Sequence, residues 1–215
     1  MKKSHSPSAA LVFCLALGAV ALQGCIEMAV VGAGAAAMSH YDRRATGAQI
    51  DDEGIELRAT NRISERFGDR VHVNITSYNR SVLVTGEVPN EQAKAEIEKI
   101  ITGTTNVRSV TNDLQVAAGT PLSSRANDAT ITGKVKARFV DANRFNALQV
   151  KVVTENAVVY LMGIVTEREA NDAVEIARTT GGVRKVVKVF EYCKPTDAVC
   201  APKDSRPEEK KKSGS

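Results

Sequence analysis

The chain contains one segment twice, and that repetition limits its fold more than any single motif does. Val73 to Gly86 reads VNITSYNRSVLVTG, and Val150 to Gly163 reads VKVVTENAVVYLMG. Each alternates apolar and polar residues, breaks at a turn-like centre (Tyr78-Asn79-Arg80, Glu155-Asn156-Ala157) and resumes. That is the pattern of a β-hairpin ending in glycine. The next segments, EVPNEQAKAEIEKIITG and IVTEREANDAVEIARTT, place apolar residues at helical spacing: Ala93, Ile97, Ile100 and Ile101, then Ala170, Ala173, Val174 and Ala177. Asn90 and Thr166 stand where a helix N-cap would. A closing strand follows in each copy, Asn106 to Val116 and Gly182 to Tyr192. Ahead of the hairpins, Ile55, Ala59, Ile63 and Phe67, and likewise Ile131, Val135 and Phe139, step by four and mark a first helix.

Each unit therefore reads αββαβ, and the chain is an α+β protein of two tandem domains. Each domain is a three-stranded mixed sheet packed by two helices, the second helix crossing over right-handedly between parallel strands. Such a core is near the lower size limit for independent folding. The expected boundaries are 1–24 for a signal peptide, 25–49 for a tether, 50–117 and 128–192 for the two domains, 118–127 for a Gly/Pro/Ser-containing linker and 193–215 for a polar tail. Aromatic residues make up 4% of the chain and Trp is absent, so the cores must be built from Val, Ile, Leu and Ala.

Lys2 and Lys3 precede an apolar run from Ala9 to Leu22. The run falls short of the roughly 20 residues of a membrane span and fits a signal peptide. Leu22-Gln23-Gly24-Cys25 resembles the bacterial lipobox. The resemblance implies that Cys25 begins the mature chain and carries acyl groups such as palmitate, as an anchor rather than a nucleophile. Ile26 follows it instead of the Asp that retains lipoproteins in the inner membrane, which favours the outer membrane with the domains facing the periplasm.

The repeated unit resembles the BON domain, and the pair covers nearly the whole mature chain. The second copy carries the likeness most clearly, in VTEN (Val153 to Asn156), LMG (Leu161 to Gly163) and VTEREA (Val165 to Ala170). The resemblance implies a non-enzymatic lipoprotein that binds anionic phospholipid through the first helix of its second domain, supports envelope integrity and is enriched at division sites. The positions that would carry lipid binding are Thr130, Ile131, Lys134, Val135, Lys136 and Arg138, with Thr130 standing where a family member has a membrane-entering Trp. The alternative is a protein-interaction adaptor for an envelope enzyme or assembly machine, in which lipid serves only for anchoring.

Charge is partitioned between the copies. Residues 50–117 hold 8 Lys/Arg against 11 Asp/Glu, and residues 125–192 hold 11 against 8, with Lys134, Lys136, Arg138 and Arg144 clustered at the first helix of the second copy. The whole-chain charge of +4 gives no sign of nucleic-acid binding. No catalytic set appears, no cofactor is expected, and the chain reads as a monomer. Of the three histidines, His5 lies in the leader, His40 in the tether and His72 at a strand start, none with a Cys, Asp or Glu partner at metal-ligand spacing. Glu167 and Glu169 suit a helix N-terminus. Gly86 and Gly163 read as turn or bend glycines.

Cys14 leaves with the leader, so Cys193 and Cys200 remain in YCKPTDAVCAPK. Pro195 and the short spacing favour an intramolecular disulfide; two free thiols or a bond to another molecule are the alternatives. Because both cysteines follow the last strand, the bond is expected to lie outside the core, and its loss to leave both domains folded.

Overall fold

The computed structural model describes residues 42–201. The expected signal peptide, Cys25, most of the tether and the chain beyond residue 201 lie outside the described residues. The elements run α1 (Thr46–Phe67), β1 (His72–Tyr78), β2 (Ser81–Val88), α2 (Glu91–Thr102), β3 (Ser109–Asn112), β4 (Gln115–Val116), α3 (Leu122–Ala142), β5 (Lys151–Glu155), β6 (Val158–Val165), α4 (Glu167–Arg178) and β7 (Lys185–Tyr192).

Local chemistry places most of these. The side chain of Asn90 accepts from Ala93 N at the start of α2, and Thr166 with Glu169 forms a full capping box on α4. Each hairpin turns on two residues of positive φ, Asn79 and Arg80, then Asn156 and Ala157, the turn whose twist matches its strands. Neither turn has a glycine, and both are held by the same device. Asp52 of α1 accepts from Asn79 N at 2.8 Å and Arg80 N at 2.6 Å; Asp128 of α3 accepts from Asn156 N and Ala157 N, both at 2.8 Å. Burial pushes the Asp52 carboxyl up, but donation from Ser77, Arg80, Arg44 and Asn79 outweighs it and holds the group below its ordinary value.

β2 pairs antiparallel with β1 and parallel with β3, and β6 does the same with β5 and β7. The step-by-four residues of α1 and α3 are buried as expected, with Val82, Val84 and Val88 over one helix pair and Val159, Leu161 and Val165 over the other.

Four boundaries differ from expectation. The closing strand of the first domain breaks after Asn112, whose side chain accepts from Leu114 N and turns Leu114 fully inward; β4 then resumes the pairing with β2. α1 begins at Thr46, inside the stretch read as tether, and α3 begins at Leu122, inside the stretch read as linker. Pro121 sets that start, because its fixed φ suits the position just ahead of a helix. Gly86 and Gly163 lie inside β2 and β6 rather than at turns.

Alternation along β2 and β6 leaves a second face on each sheet, away from the helices. Those faces meet. Tyr78 and Leu83 of the first domain pack with Tyr160, Met162 and Ile164 of the second into a third buried cluster. Polar pairs rim it: Asn79 donates to Glu191 at 2.8 Å, Asn74 to Glu155 at 2.6 Å and the Tyr160 hydroxyl to Asp113 at 2.6 Å. Burial and then the neighbouring Asp113 raise the Tyr160 phenol far above its ordinary value, so it stays a donor.

Both ends of the described chain fasten this interface. Arg43 donates from Nη1 and Nη2 to Glu169 of α4, at 2.7 and 2.9 Å, and from Nη1 also to Ile164 O of β6 at 2.9 Å. At the other end Cys193 and Cys200 are bonded, and Cys200, 4% exposed, belongs to the interdomain cluster. The expectation that this disulfide lies outside the core is overturned, because the loop folds back onto the meeting sheets.

A pH dependence follows. Burial raises the Glu169 carboxyl, but Arg43 and Thr166 outweigh it and hold it below the ordinary 4.5. Donation from Arg108 likewise lowers Glu191. A depressed folded value means stability that is present above the unfolded pKa and lost as pH falls through the folded one. The melting temperature should therefore hold between pH 7 and 5 and decline below about 4.5. In Arg43→Ala the decline should be shallower, since Glu169 loses its charge partner. Calorimetric melts across pH check this, and equal slopes in the two proteins would contradict it.

Candidate functional site

The outer face of α3 combines the features expected of the site, though not with the full set of expected residues. Along this helix Asp128, Ile131, Val135 and Phe139 point inward. Ile131 and Val135 are core residues with no surface to offer a lipid, Ile131 being 1% exposed and Val135 0%. Arg138 is half-buried and donates to Ile176 O and Thr180 Oγ1, both at 2.8 Å, so it fastens α3 to the end of α4. Arg144 bonds Asp172. Of the expected lipid-binding residues, Thr130, Lys134 and Lys136 remain on the surface.

Sequence reading missed their neighbours. Leu122, Ala126, Ala129, Gly133, Ala137 and Val140 recur every three or four residues and are all exposed, forming a second apolar stripe opposite the core one. Leu122 is 79% exposed and Val140 65%. On a 3.6-residue helix Lys134 and Lys136 fall on either side of this stripe. Among the described residues neither lysine takes part in an ion pair. The signal was present in the sequence as a second helical period. It went unseen because the inward period accounts for the helix by itself.

His72 also changes standing. It has no ligand partner along the chain, but strand register sets it opposite Glu87, with Nδ1 2.9 Å from Glu87 Oε2. Among the described residues, no helix is long and apolar enough to cross a membrane.

Two mixed sheets, each from an αββαβ unit with helices on one face, define the class. The chain belongs to the BON-domain family, whose pattern matches residues 51–118 and 127–194. Within that family it is of the DolP type. It is 38% identical over 179 residues to the outer membrane lipoprotein DolP of Haemophilus influenzae, across 82% of this chain and 93% of that one. It is also 31% identical over 153 residues to the 21 kDa hemolysin of Actinobacillus pleuropneumoniae, across 70% of this chain and 79% of that one. These likenesses support an outer-membrane lipoprotein of the bacterial envelope.

Proposed function

We propose that this protein is held in the outer membrane by an acylated Cys25, faces the periplasm, and rests α3 of its second BON domain on anionic phospholipid. The observation that carries this reading is the outer stripe of α3: Leu122 and Val140 exposed on a helix already buried on its other side, flanked by Lys134 and Lys136, which form no ion pair among the described residues. Leu122 and Val140 take the apolar role that a Trp at position 130 would fill, and the lysines meet the headgroups.

Magnitudes favour an anchored protein. Two cations near an anionic surface contribute about 1 kcal/mol each, and two partly inserted aliphatic side chains about 1.5 kcal/mol each. The total of about 5 kcal/mol corresponds to a Kd of roughly 0.2 mM. That is too weak to recruit a protein from solution. It is enough to bias where an already anchored protein resides, because the tether keeps α3 at high effective concentration near the bilayer. Support of envelope integrity and enrichment at division sites would follow from such sorting.

Chemical-shift titration with anionic and zwitterionic micelles tests the reading. Lys134→Gln with Lys136→Gln should abolish most of the anionic-specific shifts along α3, and Leu122→Ser with Val140→Ser should weaken them with the fold intact. Added salt should reduce binding by the wild type. Unchanged binding in both variants would favour an adaptor that docks an envelope protein and uses lipid for anchoring alone.

A further inference from the structure

We propose that His72, Glu87 and Glu155 form a site for a divalent transition-metal ion that ties the two BON domains together. His72 and Glu87 face each other across β1 and β2, on the sheet face turned towards the second domain. Glu155 comes from the end of β5 in that domain. One ligand atom from each lies within 4.8 Å of the other two.

Charge gives the first reason. Glu87 is 5% exposed and Glu155 8%, and among the described residues neither pairs with a lysine or arginine. Their donors are neutral apart from one imidazole: Asn74 and Thr85 to Glu155, and Thr120, through its amide and hydroxyl, to Glu87. Buried carboxylates are normally paired with cations or bound to metals, and one imidazolium can offset only one of the two. A divalent cation would offset both.

The donor set gives the second reason. Imidazole nitrogen and carboxylate oxygen are both zinc donors, and three protein ligands with water in the fourth position is the pattern of an open zinc site. The neutral donors orient the two carboxylates as outer partners of a metal site do. A cleft of about 680 Å³, lined by His72, Glu87, Arg70, Val116, Gly119 and Arg125, supplies an entry path. Tetrahedral bonds of about 2.0–2.1 Å require ligand atoms roughly 3.4 Å apart, so binding draws the three side chains inward. The ion takes the place of the hydrogen bond between His72 and Glu87. Any proton held on Nδ1 leaves to solvent, so affinity weakens as pH falls.

The test uses protein purified from membranes in detergent, stripped with a chelator and titrated with ZnCl2. The expected result is one Zn2+ per chain and, at a hundredfold excess over Kd, a rise in melting temperature of about 5–10 °C. Glu87→Gln and Glu155→Gln, each checked for folding by circular dichroism, should lose most of both effects. In the His40→Asn background, Zn2+ should also move the His72 imidazole resonances, a readout that needs no change to the site. The proposal is overturned by absence of one-to-one binding, by equal melting shifts in wild type and both glutamine variants, or by His72 resonances that stay in place at saturation.

Discussion

Replacing Gly86 with alanine is expected to lower stability by roughly 3 kcal/mol or more, a drop of about 6–12 °C in melting temperature. A Cβ at this position would lie 2.0 Å from the backbone oxygen of His72 and 2.9 Å from its carbonyl carbon. The φ of +118° is one that side-chain-bearing residues rarely adopt. No side chain can rotate out of the way, because the obstacle is backbone held in register: His72 opposes Glu87 and Val73 opposes Gly86. Relief requires moving the start of β1, which carries His72 towards the interface. Gly163→Ala should cost less. Its Cβ would lie 2.4 Å from Gln149 O, in the short turn ahead of β5 rather than in a paired strand. Thermal melts of the two variants decide the matter, and a Gly86→Ala protein within 2 °C of wild type would refute the argument.

Removing the disulfide in a Cys193→Ser, Cys200→Ser variant is expected to cost roughly 4 kcal/mol. A cross-link closing about eight residues constrains the unfolded chain by about 2.5 kcal/mol. The structure adds a second contribution, since Cys200 is buried among Tyr78, Leu83, Tyr160, Met162 and Ile164. A serine there leaves a hydroxyl without a partner in an apolar cluster, at about 1–3 kcal/mol. The loss should centre on the interface between the domains. Hydrogen exchange should quicken at residues 78–85 and 158–164, far in sequence from either cysteine. If the melting temperature hardly moves, or if exchange changes only beyond residue 192, the loop contributes nothing to that interface.

What the sequence made legible was local. A period of two gave the hairpins, a period near four gave the first helices, and Asn90 and Thr166 marked the helix starts, because each of these is set by residues within a few positions of one another. Even Asp128 carried a readable signal, standing 28 residues before Asn156 of its turn where Asp52 stands 27 before Asn79, though its role shows only with the hairpin in place. The residues expected to face lipid were legible only in part. Thr130, Lys134 and Lys136 can be assigned to a surface from their chemistry, but the same pattern places Ile131 and Val135 there, and only packing shows that these two face inward. Arg138 misleads for the same reason. A basic residue on a helix reads as solvated until the end of α4 is seen to bring Ile176 O and Thr180 within reach.

By itself, then, the sequence determined two αββαβ units, their cores and their order along the chain. The tertiary structure alone decided how the units meet. VVYLMGIV in β6 is apolar at successive positions, as befits a strand covered on both faces. Nothing in that run says that its second cover is Tyr78 and Leu83 of the other domain. The contacts that fix the interface, Arg43 with Glu169, Glu155 beside His72 and Glu87, and Cys200 in the shared cluster, join residues far apart in the chain. Local propensity acts over a turn or two, whereas these contacts exist only where the face each sheet leaves uncovered by helices is buried against the other.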